Sequence, residues 1–170
     1  MRLFIAIQFP KPVKAALVQT MEDLQRQGVS GNFSRVENLH LTLAFLGEVE
    51  SYEGVCRVMD QVKAQPFLLT LGESGSFGDL YWIGIKPCLQ LENYVKRLRK
   101  KLSEEGIGYN SKAFKAHITL IRKAKHTDGI KFLLPKESFW VTKIALMKSE
   151  ILDGKLTYTE LYSTHLGSVS

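Results

Sequence analysis

The feature that most narrows how this chain can fold is a tetrad that occurs twice: His40-Leu41-Thr42-Leu43 and His117-Ile118-Thr119-Leu120. Both copies read His–apolar–Thr–apolar, and both sit in strand-like surroundings. In a β-strand, residues i and i+2 share a face. Each His and its Thr therefore project from one side, while Leu41 and Leu43, or Ile118 and Leu120, enter a core. A single copy would read as ordinary strand alternation, because Thr favours strands and a lone His is at home with one hydrogen bond. Two of the chain's four histidines carry the pattern, and that repetition points to one joint site built from two strands.

The rest of the chain supplies a scaffold. Leu3, Ile5 and Ile7 alternate with Phe4, Ala6 and Gln8, which predicts a strand. Pro10 and Pro12 open a helix with the stripe Val13, Leu17, Met21 and Leu24, and Gly28 is its expected C-terminal cap. Residues 35–46 read as the strand of the first tetrad. Ser51 is expected to N-cap a short helix carrying Val55, Met59 and Val62, which stops before Pro66. Strands over 67–71 and 80–85 follow, joined by the polar stretch GESGSFGD.

A third helix spans 89–105, with Leu91, Val95, Leu98 and Leu102 buried and Gly106 ending it. Its Lys96, Arg97, Arg99, Lys100 and Lys101 read as a solvated face that complements the helix dipole. The second tetrad lies in a strand over 115–121, followed by a basic loop, RKAKHTDG. Residues 139–149 and 155–161 form a closing hairpin across Asp153-Gly154, a strong short-turn signal. The expected class is α+β, mostly antiparallel strands with helices packed on one side.

With 170 residues, 45% of them hydrophobic and 24% charged, residues 1–170 are expected to form a single domain with a sizeable core. No apolar run approaches the roughly 18 residues of a membrane helix. The start lacks the basic and long apolar regions of a signal peptide. Cys56 and Cys88 share no motif, which suits a reducing, cytoplasmic setting. The formal charge of +6 is compatible with a polyanionic partner and equally with solubility alone. No HExxH, paired-cysteine or acidic cluster marks a metal site, so no cofactor is expected. No phosphate-binding glycine fingerprint supports ATP-dependent ligation.

Two histidines and two threonines suit in-line displacement at phosphorus. A nucleophile loses a proton on one side while an alkoxide gains one on the other. One neutral and one charged imidazole, both with an ordinary pKa of about 6.5, can manage both transfers without metal. The threonine hydroxyls can donate to non-bridging phosphate oxygens.

The tetrads and their flanks, MRLFIAI, ENLHLTLAFLGEV, LYWIGI, FKAHITLIR and LMKSEILDGKLTYTEL, resemble the 2H phosphoesterases. Within them they are similar to the bacterial and archaeal RNA 2′,3′-cyclic phosphodiesterases, historically called 2′-5′ RNA ligases. The resemblance covers nearly the whole chain. It implies a bilobal α+β fold with a pseudo-two-fold axis, antiparallel sheets lining a central groove and helices outside. It implies a hydrolase of RNA 2′,3′-cyclic phosphate ends that yields 2′-phosphates without metal. His40 would be proton donor and His117 proton acceptor, with Thr42, Thr119 and Arg122 on the phosphate. Arg122 stands five residues after His117, where the family carries a phosphate-engaging arginine. Members often have an RPFxPH-like stretch before the second tetrad; this chain has Ala113, Phe114, Lys115 and Ala116 instead.

Among Tyr81, Trp82 and Phe114, core packing is expected for at least two, and Phe114 is the best choice for stacking a base. His126 and His165 lack a matching Thr and read as non-catalytic. The expected partner is RNA with cyclic phosphate ends or a cyclic nucleotide, bound by a monomer, with no membrane. Two alternatives stay open: a non-catalytic RNA- or nucleotide-binding module, and another 2H reaction on RNA 3′ ends or small cyclic nucleotides.

Overall fold

A computed structural model describes residues 1–126 and 128–167. Its strands are β1 (Arg2–Gln8), β2 (Ser30–Phe33), β3 (His40–Glu48), β4 (Phe67–Phe77), β5 (Leu80–Ile85), β6 (His117–Lys125), β7 (Ser138–Val141), β8 (Lys143–Leu152) and β9 (Lys155–His165). Its helices are α1 (Lys11–Arg26), α2 (Glu53–Gln61) and α3 (Leu89–Glu104). A 3-10 turn, Val36–Asn38, leads into β3. None of the described helices is long and apolar enough to cross a membrane.

The strands form two antiparallel sheets, ordered β3-β1-β8-β9 and β2-β6-β5-β4-β7. The second repeats the first: β6-β5-β4-β7 follows the plan of β3-β1-β8-β9, and β2 is added on the outer edge. In each lobe a central strand leads through a 16-residue helix to the tetrad strand that pairs beside it. Gln8 pairs with His40 and Gly84 with His117. The resulting α+β, bilobal architecture agrees with the sequence expectation.

The core explains why β1 is apolar on both parities. Leu3, Ile5 and Ile7 point into the main core, beside Val13, Leu17 and Leu24 of α1 and Leu91, Val95 and Leu98 of α3. Phe4 and Ala6 point the other way and join Ala145 and Met147 in a small second cluster. That second cluster floors the groove on the His40 side. Full burial of each Leu or Ile is worth about 1.5–3 kcal/mol, so the main core fixes the sheets on which the site stands.

Several boundaries differ from the sequence reading. The strand expected over 35–46 is broken by the 3-10 turn before His40. The start of α2 falls to Tyr52, with no side-chain cap bond, rather than to Ser51. GESGSFGD is mostly strand, because β4 runs on to Phe77 and pairs with β5. Gly75 permits this, since a Cβ there would lie 2.2 Å from the Trp82 ring. The RKAKHTDG segment is strand through Lys125, and its Thr127 lies outside the described residues. At the β8–β9 turn, Asp153 and Gly154 take φ of 50° and 76°, the left-handed pair that a two-residue hairpin requires.

Candidate active site

His40 begins β3 and His117 begins β6, and both rings are held in the same way. His40 Nδ1 lies 2.7 Å from the Asn38 carbonyl, and His117 Nδ1 lies 2.6 Å from the Lys115 carbonyl. A carbonyl only accepts, so each Nδ1 carries a hydrogen and each neutral ring presents the Nε2 lone pair. The 3-10 turn supplies the first of these carbonyls, that of Asn38. His40 Nε2 in turn accepts a hydrogen bond from the Thr42 hydroxyl at 2.8 Å.

Each ring also rests on aromatic side chains. Phe4 and Tyr158 lie 4.9 and 5.1 Å from the His40 ring. Phe77 and Trp82 lie 5.1 and 6.3 Å from the His117 ring. Burial holds the His40 pKa below its ordinary value, partly offset by the Asn38 hydrogen bond. The nearby charges of Arg122 and His117 lower it further. His40 is therefore neutral over a wider pH range than a free imidazole.

Both tetrad strands contain a β-bulge at the last tetrad residue. Ala6 and Ile5 pair with Thr42 and Ala44, skipping Leu43. Trp82 and Tyr81 pair with Thr119 and Ile121, skipping Leu120. The extra residue reverses the parity of everything beyond it. Leu43 and Ala44 are both buried, as are Leu120 and Ile121. The residue five beyond each His then returns to the groove face: Phe45 in one lobe, Arg122 in the other. Strict alternation would have turned Arg122 toward the core. Gly31 of β2 allows the distortion, since a Cβ on it would lie 2.8 Å from the Lys123 carbonyl and 2.9 Å from that of Arg122.

Two of the groove's chambers interleave the tetrads. One, about 470 Å³, is lined by Thr42 and His117 with Phe45, Phe77, Arg99 and Phe114 among others. The other, about 440 Å³, is lined by His40 and Thr119 with Arg122, Asn38, Leu156 and Tyr158. The structure thus brings together His40, Thr42, His117, Thr119, Arg122 and Phe114. Trp82 is buried, and Tyr81 hydrogen-bonds His126. His165 lines a separate cavity near Trp140 and Lys143. Among the described residues, no three His, Cys, Asp or Glu side chains gather to hold a metal.

Arg99 departs from the solvated role expected for the α3 basic face. Its Nε donates to the Leu43 carbonyl at 3.1 Å and its Nη1 to the Lys112 carbonyl at 2.8 Å. Its guanidinium also lies over Tyr109 and Phe114, at 5.5 and 5.6 Å from the ring centres. Helical periodicity treats all five basic residues alike, so nothing in the sequence singles it out. Phe45 is absent from the sequence expectations too, although its offset from His40 equals that of Arg122 from His117. Tyr158 lies within the LMKSEILDGKLTYTEL stretch, but nothing in the sequence singles it out as a residue of the groove.

A family model described as LigT like Phosphoesterase matches residues 7–81. The RNA 2′,3′-cyclic phosphodiesterase of Thermotoga maritima is 31% identical, over 94% of this chain and 89% of that one. Its Escherichia coli counterpart is 30% identical, over 94% and 93%. The chain belongs to the LigT-like phosphoesterase family. In structure, E. coli LigT complexed with 3′-AMP matches with a TM-score of 0.85 at 29% identity, covering 98% of each chain. A Thermus thermophilus protein matches at 0.84 and 27%, covering 97% of each. This LigT-like chain accordingly shares the fold of these neighbours over nearly all of its described residues.

Proposed function

We propose that this LigT-like protein hydrolyses RNA 2′,3′-cyclic phosphate ends to 2′-phosphates by a two-histidine, metal-independent mechanism. The supporting observation is the matched pair of imidazoles. Each is oriented by a backbone carbonyl two residues upstream, and each lines a different chamber of one groove. Curated relatives that carry the cyclic phosphodiesterase name cover most of the chain.

A phosphorus atom between the chambers meets an imidazole on each side. His117 takes the proton of the attacking water, and its Lys115 bond holds Nε2 free to receive it. Water oxygen bonds to phosphorus as the bond to O3′ breaks, and His40 delivers a proton to O3′. Arg122 and the hydroxyls of Thr42 and Thr119 bind the non-bridging oxygens, where charge accumulates. In this reading His40 takes up its proton when the anionic phosphate arrives beside it and offsets the effect of burial.

A second reading exchanges the two roles. It is favoured by the burial of His40, which leaves that ring neutral before substrate binds. The test is product analysis with cyclic-phosphate-ended oligonucleotides, followed by leaving-group rescue. The primary reading expects a 2′-phosphate product. It also expects a better 3′ leaving group to rescue His40→Ala more than His117→Ala. A dominant 3′-phosphate, or rescue in the opposite order, selects the exchanged roles. No turnover of any cyclic phosphate would leave a binding module as the better description.

A further inference from the structure

Arg2 has no part in the reaction just described, yet it stands at the site. It shares the parity of Phe4 and Ala6 on β1 and so faces the groove. With Phe45, His40, Thr42, Arg122 and Tyr158 it lines a pocket of about 300 Å³. That is about ten times the ~30 Å³ that one water occupies in the liquid. Its guanidinium lies over the Phe45 ring, 4.8 Å from the centre. A guanidinium held against a ring in this way keeps N–H donors available to an anionic acceptor.

Among the described residues, neither Arg2 nor Arg122 has a carboxylate within ion-pair distance. Glu48, the cross-strand neighbour of Arg2, binds the Met1 amino group, and Glu150 pairs with Lys148. Among the described residues, no acidic side chain lines the pocket. Two uncompensated guanidiniums in one pocket exceed what a single phosphate monoanion requires.

We propose that Arg2 binds the 5′-phosphate group of the terminal nucleotide, so that Arg2 and Arg122 together read two successive phosphates of an RNA end. This rests on the function proposed above and deepens it. Arg122 engages the reacting phosphate, whereas Arg2 selects a nucleotide that carries a phosphate on its 5′ side over one that ends in a 5′-hydroxyl. Arg2 is a specificity determinant that touches substrate away from the reacting atoms.

The experiment uses two probes that differ in one group: adenosine 2′,3′-cyclic phosphate with a 5′-hydroxyl, and the same compound with a 5′-phosphate. The wild-type enzyme should prefer the 5′-phosphorylated probe in kcat/KM by about ten- to a hundredfold, the worth of a hydrogen bond to a charged group. The preference should reside in KM. In Arg2→Ala the ratio should fall to about one, and Arg2→Lys should retain part of it. A ratio measured on one preparation is insensitive to the fraction of folded protein. A wild-type ratio near one, or an undiminished ratio in Arg2→Ala, would overturn the assignment of Arg2 alone. If the wild-type enzyme opens neither probe, the proposed function falls and this inference falls with it.

Discussion

Gly31→Ala should damage stability and activity together, although Gly31 touches no substrate. Its φ of 146° lies where side chains are rarely tolerated, and the added Cβ would meet two carbonyl oxygens at 2.8 and 2.9 Å and the Ile121 Cγ2 at 3.0 Å. Backbone strain of this kind costs about 1–3 kcal/mol. Overlap with a packed backbone adds roughly 1–3 kcal/mol, because main-chain atoms cannot rotate aside. The expected loss is then about 2–6 kcal/mol, a large share of the roughly 5–15 kcal/mol that holds a domain folded. Part of the strain can be relieved by moving β2 off β6 at Arg122–Lys123, which displaces the arginine from the groove. Gly28→Ala is the control: its φ is 94°, but nothing lies within 4 Å of the added Cβ, so only the conformational cost of about 1–2 kcal/mol applies. Denaturant unfolding gives the stabilities, and kcat/KM on a cyclic-phosphate substrate gives the activities. Equal losses in the two variants, or full activity in folded Gly31→Ala, would refute the link between close approach and arginine placement.

His40→Ala and His117→Ala should each lower kcat by about 10²–10⁴-fold with the fold intact by circular dichroism, and Thr42→Ala and Thr119→Ala should lose less; EDTA should leave the wild-type rate unchanged. The lowered pKa of His40 makes the unfolded chain the stronger proton binder just below pH 6.5. Its contribution to stability is thus complete above about pH 6.5 and is lost as pH falls through the folded value, so unfolding curves of His40→Gln should show a shallower decline with acid than wild type. Arg99→Ala should destabilise the protein by about 1–3 kcal/mol through its two backbone hydrogen bonds and loosen the Lys112–Lys115 segment, seen as faster amide exchange there.

The two tetrads are legible because a two-residue period needs only local sequence, and the family resemblance then supplies lobes and groove. The parity reversals at Leu43 and Leu120 are not legible, since a bulge depends on pairing with β1 and β5. Arg122 is therefore expected at the site from the resemblance alone, and Phe45 has no such guide. Arg2 and Tyr158 enter the groove only after strands distant in sequence pair. The GESGSFGD run has loop composition, yet its glycines make room for the ring and side chains of the neighbouring strand. The α3 basic face misleads for a similar reason: periodicity marks which residues leave the core, and a guanidinium long enough to reach β3 can leave it and still be held.

The doubled plan leaves the scaffold almost indifferent to direction. Histidines, threonines and bulges recur in both lobes, and the carbonyl behind each imidazole does too. The bulges nevertheless deliver unlike side chains, an aromatic ring at position 45 and a cation at position 122, and they add to the asymmetry that burial imposes on His40. Part of the polarity of this fold is thus written at positions 45 and 122. A chain that swapped them would keep both histidines while carrying the cation on the opposite wall of the groove.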